Sequence, residues 1–162
     1  EDAVVDVLIA SEGRVITSIE SLSQDNVEKA IVHPLSIVAT NGSGYSIDHA
    51  KTGESVHPRS FGTFPRVLSE YVIEKKIISW ETAVKKMTGY PAKKFGIKNR
   101  GEIKEKNFAD IIIINKDKIE DFATSENPYQ YSKGIEFVLV NGEIILKDGV
   151  YGRERAGRIL VR

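Results

Sequence analysis

His57-Pro58-Arg59-Ser60-Phe61-Gly62-Thr63-Phe64-Pro65-Arg66-Val67-Leu68 sets a histidine, two arginines, two prolines and a glycine directly ahead of a helical pattern. Loops that hold polar groups in set directions on a rigid scaffold have this make-up. Arginine offers a planar fork of donors to a carboxylate or phosphate, so the mixture points to recognition of an anionic group. From Thr63 the spacing predicts a helix in which Phe64, Val67, Leu68, Tyr71 and Val72 share a face. Pro65 is then tolerated in its first turn.

Upstream, residues 2–10 carry apolar groups at helical spacing, and Gly13 is a plausible stop. Val15 to Ile19 reads as a short strand. Ser23 opens a second amphipathic helix, which His33-Pro34 ends because proline excludes the helical conformation from the residue before it. Ser36-Ile37-Val38-Ala39-Thr40 has the form of a strand buried on both faces. It breaks at Asn41-Gly42-Ser43-Gly44, and a polar loop runs on to about Ser60. Downstream, Ser79-Trp80-Glu81-Thr82 has the cap-then-acid order of a helix start, with Ala83, Val84 and Met87 inward. Pro91 to Gly96 is a further turn. Near residue 100 the texture changes: Ala109 to Asn115 is β-branched, and Gly134 to Gly149 is a hairpin turning at Asn141-Gly142. The expected organisation is a strand–helix part over 1–97 and a small β part over 98–162, with the arginine-rich tail from Arg153 exposed.

The 162 residues, 41% hydrophobic and 28% charged, suffice for a real core and a soluble surface. Twenty-three basic residues balance 23 acidic ones, which gives no reason to invoke nucleic acid or an anionic membrane. No window approaches the ~18 apolar residues of a membrane span, and Glu1-Asp2 is unlike a signal peptide. Cysteine is absent, which excludes disulfides and thiolate metal sites within the chain and leads to the expectation of a cytoplasmic protein.

His33, His49 and His57 form no His-x-His or His-Glu-x-x-His pair, so the chain holds no self-contained metal motif. His33 reads as a cap or packing residue and His49 as solvated, while His57 is either a pocket residue or a structural one. Asn41 stands at the carboxyl end of the apolar run, where α/β proteins place ligand-facing residues. Asn-Gly also makes turns readily, and spacing alone favours the turn. Arg59 either clamps an anion or pairs with a carboxylate such as Glu54, and Arg66 reads as a structural pair. The segment Asn41-Gly42-Ser43-Gly44 is neither a phosphate loop nor a nucleophile elbow.

Taken together, the chain resembles the C-terminal part of the D-aminoacylases, the N-acyl-D-amino-acid deacylases of the amidohydrolase superfamily. The resemblance rests on His33-Pro34, Ala39-Thr40-Asn41-Gly42, and His57-Pro58-Arg59 running into Gly62-Thr63-Phe64-Pro65-Arg66-Val67-Leu68. It continues through Lys86-Met87-Thr88-Gly89, Pro91-Ala92, Arg100-Gly101-Glu102-Ile103, Ala109-Asp110-Ile111, Gly134-Ile135-Glu136, Val140-Asn141-Gly142 and Gly157-Arg158. The Ala-Asp-Ile and Val-Asn-Gly segments mark only the superfamily, whereas His-Pro-Arg with Gly-Thr-Phe-Pro-Arg-Val-Leu is far more specific.

The resemblance implies an α/β fold class: the C-terminal fragment of a metal-dependent (β/α)8 barrel, followed by part of a small β-sandwich. A barrel of this kind takes ~250 residues, so the chain would hold its last strands. Zinc is the implied cofactor of the parent family, with ligands that would precede Glu1 and none expected on this chain alone. The family's last barrel strand ends in an aspartate that serves as metal ligand and general base; Asn41 occupies that position here. An amide cannot take up a proton at neutral pH, so base catalysis is expected to be lost. Arg59 is expected to hold the substrate's α-carboxylate and His57 to shape the same pocket. The implied reaction is hydrolysis of an N-acyl-D-amino acid, with the fragment itself inactive. Two other readings remain: a non-catalytic assembly module or split-enzyme subunit, as a homo-oligomer or joined to the missing N-terminal part, and another amidohydrolase such as a dihydroorotase-like cyclic amidase.

Overall fold

The computed structural model describes residues 2–15, 21–153 and 155–160, in which five α-helices precede a four-stranded antiparallel sheet. Helix α1 (Asp2–Ala10) ends as the sequence predicts: the Gly13 amide reaches back to the Leu8 carbonyl at 2.8 Å with φ of 75°. Its apolar spacing buries nothing, and Val4, Val5, Val7, Leu8 and Ile9 all stand exposed. The strand expected from Val15 lies, apart from Val15 itself, outside the described residues. Helix α2 (Gln24–Val32) is capped by the Ser23 hydroxyl, which accepts from the Asn26 amide, and it ends at His33 before Pro34.

The run Ser36–Thr40 departs from expectation. Among the described residues it joins no strand; the Val38 amide donates to the Lys86 carbonyl at 3.1 Å instead. A strand buried on both faces needs neighbours along both edges, and these residues find none. Asn41-Gly42 makes no turn of the positive-φ kind, since neither residue has a positive φ. A 3-10 turn follows at Ile47–Thr52.

Helix α3 (Arg59–Arg66) begins four residues before Thr63 and places Pro65 in its interior. Proline removes an amide from the helical ladder, and the helix then widens into a π-helical stretch, Val67–Glu74, which the Lys75 amide closes on Glu70 at 2.8 Å. Val67, Leu68, Tyr71 and Val72 are buried as predicted, but Phe64 is exposed. Together with Ile78, Ala83 and Ile119 they form the core, flanked by Val27, Ile31, Val38, Trp80 and Met87. Helix α4 (Trp80–Met87) is capped by Ser79, whose hydroxyl accepts from the Thr82 amide at 3.2 Å. Its inner face holds Ala83 and Lys86, while Val84 points outward. Helix α5 (Gly89–Phe95) stops at Gly96 in the left-handed region.

The sheet consists of β1 (Ile111–Ile114), β2 (Ile135–Val140), β3 (Glu143–Lys147) and β4 (Val150–Tyr151), each paired antiparallel with the next. Asn141 and Gly142, both at positive φ, make the predicted β2–β3 turn. The connection between β1 and β2 packs back on α3: the Asp121 carboxylate receives Arg66 Nη2 at 2.7 Å and Nε at 2.8 Å. Arg66 also donates to the Ala123 carbonyl. No helix is long and apolar enough to cross a membrane among the described residues.

Candidate functional site

Proline has no amide hydrogen, so in His57-Pro58-Arg59 the first free donor after the histidine is Arg59. That amide points back to His57 Nδ1 at 3.1 Å. Such a donor requires an unprotonated Nδ1, which fixes the neutral ring as the Nε2–H tautomer. His33-Pro34-Leu35 repeats the device, with the Leu35 amide 3.2 Å from His33 Nδ1. His33 is thereby the helix-end residue the sequence suggests. Partial desolvation, then the charges of Arg59 and Arg66, hold His57 below the ordinary imidazole range. The ring is therefore neutral at pH 7 and presents an N–H donor.

Arg59 does not pair with Glu54. Glu54 is taken by His49 Nε2 at 2.9 Å, and His49 also stacks on Tyr45 with ring centroids 4.8 Å apart, so it is not simply solvated. Among the described residues no carboxylate pairs with Arg59, whereas Arg66 has Asp121. Asp48, the nearest other acid after residue 41, is bound to Lys51.

Hydroxyls that the sequence reading missed tie the backbone on either side of Asn41 to the start of α3. Thr40 Oγ1 donates to the Arg59 carbonyl at 3.1 Å and accepts from the Gly42 amide at 2.9 Å. Thr63 Oγ1 lies 3.1 Å from Thr40 Oγ1 and 2.9 Å from the Arg59 carbonyl. The Ser43 amide donates to Ser60 Oγ. The glycine is needed for approach: a Cβ on Gly42 would lie 2.7 Å from Ser60 Cα and 2.8 Å from the Arg59 oxygen. Thr63 stands four residues after Arg59, the spacing at which a helical hydroxyl reaches back to a carbonyl. That was the one available signal.

Lys86 was also missed. Its side chain is 1% exposed, and Nζ donates to the His33 carbonyl at 2.5 Å, the Ser36 carbonyl at 3.1 Å and Ser36 Oγ at 2.7 Å. With its own carbonyl on the Val38 amide, Lys86 holds the run leading to Asn41 at two points. A cleft of about 460 Å³ opens between α2, this run and α3; Val27, Ile31 and Ile37 line its apolar walls, and His57, Arg59 and Arg66 border it.

The cleft is bordered by an imidazole N–H and by a guanidinium that pairs with no carboxylate among the described residues, groups that can grip an anion beside an apolar surface. It lacks a proton acceptor, because His57 Nδ1 is occupied and Asn41 is an amide. Among the described residues no group of three or more His, Cys, Asp or Glu could hold a metal ion.

The sequence description of the Amidohydrolase family matches residues 37–146, which include Asn41, His57 and Arg59. The chain belongs to the amidohydrolase family. A D-aminoacylase from Alcaligenes xylosoxydans xylosoxydans is 40% identical over 109 residues, 67% of this chain and 22% of that relative. A D-aminoacylase crystal structure superimposes with a TM-score of 0.79 at 33% identity, covering 87% of this chain and 28% of that one. An N-acyl-D-glutamate deacylase from Bordetella bronchiseptica, solved with zinc and a phosphonate inhibitor, gives 0.69 at 33% identity, covering 84% and 28%. The amidohydrolase chain described here thus spans about a quarter of the length of these relatives.

Proposed function

We propose that this chain supplies the closing strand and helices of a deacylase (β/α)8 barrel, together with the C-terminal part of its β-sandwich. On this reading the parent enzyme hydrolyses the amide bond of N-acyl-D-amino acids. The observation that carries it is the seating of the backbone on either side of Asn41, through Thr40 and Gly42, against the carbonyl of Arg59, whose side chain shares the cleft with His57 and pairs with no carboxylate among the described residues. Arg59 would hold the substrate carboxylate by a two-pronged bond, and His57 Nε2–H would donate to the substrate from the same side. Ser36–Thr40, apolar but unpaired among the described residues, is read as a barrel strand whose neighbours lie elsewhere.

The residues present do not fit a zinc ion on their own, since a carboxamide stands where the family carries its metal-binding acid. Zinc would be held by the rest of such a barrel. With Asn41 in place the site binds but does not take up a proton, so the chain alone is expected to be inactive.

Exchanging the matching quarter of the Alcaligenes D-aminoacylase for this chain tests the reading. The chimaera carrying Asn41→Asp should hydrolyse N-acetyl-D-amino acids, and the chimaera with Asn41 unchanged should not. Adding Arg59→Gln to the active chimaera should raise KM sharply. A folded, zinc-loaded Asn41→Asp chimaera without hydrolysis would refute it, as would zinc-supported hydrolysis by the present chain alone.

The exposed apolar face of α1 and the open cleft favour a second reading, as an assembly module. Sedimentation at low micromolar concentration separates the two: a clean monomer speaks against the module.

A further inference from the structure

The chain contains two Asn-Gly pairs, Asn41-Gly42 and Asn141-Gly142, and the structure holds them very differently. Asn141 is half-buried and bound at both ends of its side chain: Arg100 donates to Oδ1, and Nδ2 donates to the Ala156 carbonyl. The Gly142 amide is bonded to the Ala109 carbonyl at 3.0 Å. The Asn41 side chain is exposed and, among the described residues, makes no hydrogen bond. Its restraint falls on the next residue, whose amide donates to Thr40 Oγ1.

We propose that Asn41-Gly42 is a site of spontaneous intramolecular deamidation that the Thr40 hydroxyl holds in check. In this reaction the Gly42 backbone nitrogen gives up its hydrogen and bonds to Asn41 Cγ. The Cγ–Nδ2 bond breaks, and ammonia leaves with that hydrogen. Water then opens the five-membered imide at either carbonyl, leaving aspartate or isoaspartate. Glycine permits the attack because no side chain shields its nitrogen. The Thr40 oxygen opposes it by retaining the hydrogen that the nitrogen must lose, and Thr40 is itself anchored by Thr63 and the Arg59 carbonyl. Residue 41 is thus a latent carboxylate in a backbone segment held against the Arg59 carbonyl. That this acid would restore the proton acceptor of a deacylase site rests on the reading above; the deamidation does not.

The test is a time course of the folded chain in mildly alkaline buffer, with a denatured sample alongside. Trypsin releases residue 41 in the peptide 30–51 and residue 141 in the peptide 134–147, so mass spectrometry scores the two pairs separately. In denaturant both peptides convert at similar rates. In the folded chain the first converts, more slowly than when denatured, while the second stays intact. Thr40→Val, which removes the hydroxyl, should accelerate conversion at 41 about five-fold, the rate equivalent of one ordinary hydrogen bond. Thr40→Ser should behave as the wild type. Equal conversion of the two peptides in the folded wild type overturns the proposal, as does conversion at 141 first. A folded Thr40→Val chain reacting at the wild-type rate does the same. So does an unchanged residue 41 after several times the period in which the denatured chain converts.

Discussion

Gly62 lies inside helix α3, where helix propensity alone makes Gly→Ala stabilising by about 1 kcal/mol. The structure predicts the opposite sign. A methyl group at residue 62 would fall well under 3.0 Å from both carboxylate oxygens of Asp121. That carboxylate has little room to retreat: it is 3% exposed, receives Arg66 twice at 2.7 and 2.8 Å, and accepts the Ala123 amide at 3.0 Å. One way out is to distort the helix, at the ~1–3 kcal/mol typical of overpacking. The other is to swing Asp121 away and lose charge-assisted bonds worth ~1.5–3 kcal/mol. Arg66 is 44% exposed, so solvent screening places its share at the low end. After subtracting the propensity gain of about 1 kcal/mol, Gly62→Ala should still destabilise, by up to about 2 kcal/mol. Urea unfolding followed through Trp80 fluorescence reads this as a midpoint falling by up to about 1 M. The decisive comparison is the same substitution in an Asp121→Ala background, where the obstruction is gone and propensity acts alone. There Gly62→Ala should raise the midpoint. A destabilisation of equal size in both backgrounds, or a stabilisation in the wild type, would refute the reasoning.

Lys86→Met keeps the buried stem but strips the ammonium from the oxygens of His33 and Ser36, at about 1–3 kcal/mol. Thermal melting should show this, and hydrogen exchange at the Val38 amide should quicken. Burial lowers the Lys86 pKa below 10.5. The unfolded chain therefore binds that proton more tightly, and stability gains a component that grows with pH from the folded pKa up to 10.5, which the Met variant should lack. NMR titration of His57 should give a midpoint below 6.5, moving upward in Arg59→Gln as one of the two nearby cations is removed. Since the unfolded imidazole binds its proton first, this group weakens the fold as pH drops from 6.5 to the folded midpoint. Ser79→Ala should cost about 1 kcal/mol by uncapping α4; an unchanged melting temperature would show that the cap is idle.

The parts of the fold legible in the sequence are those written within a few residues. Ser23 and Ser79 announce helix starts, the β-branched run gives β1, and Asn141-Gly142 gives the hairpin. What was illegible depends on partners far along the chain. Ser36–Thr40 looks like a buried strand because its side chains are apolar, but strand formation also needs edges to pair with. The π-helical stretch was hidden because its buried positions satisfy ordinary helical spacing equally well. Lys86 reads as a surface lysine until the carbonyls of His33 and Ser36 come to it. At the site, Arg59 and His57 stood out by residue type and loop composition. The hydroxyls of Thr40, Ser60 and Thr63, which tie the segment around Asn41 to the start of α3, carry no signature beyond a single helical interval. The role of Gly62 requires Asp121 and could not be read locally.

The Arg66–Asp121 pair has a mechanical consequence. Because the connection between β1 and β2 is stitched to α3 through a nearly buried carboxylate, and Tyr129 donates to the Glu54 carbonyl across the same seam, severing the exposed stretch after α5 would not release the sheet. A protease nick there should yield two pieces that co-elute and melt in one transition, with the backbone cut but the tertiary structure still in one body.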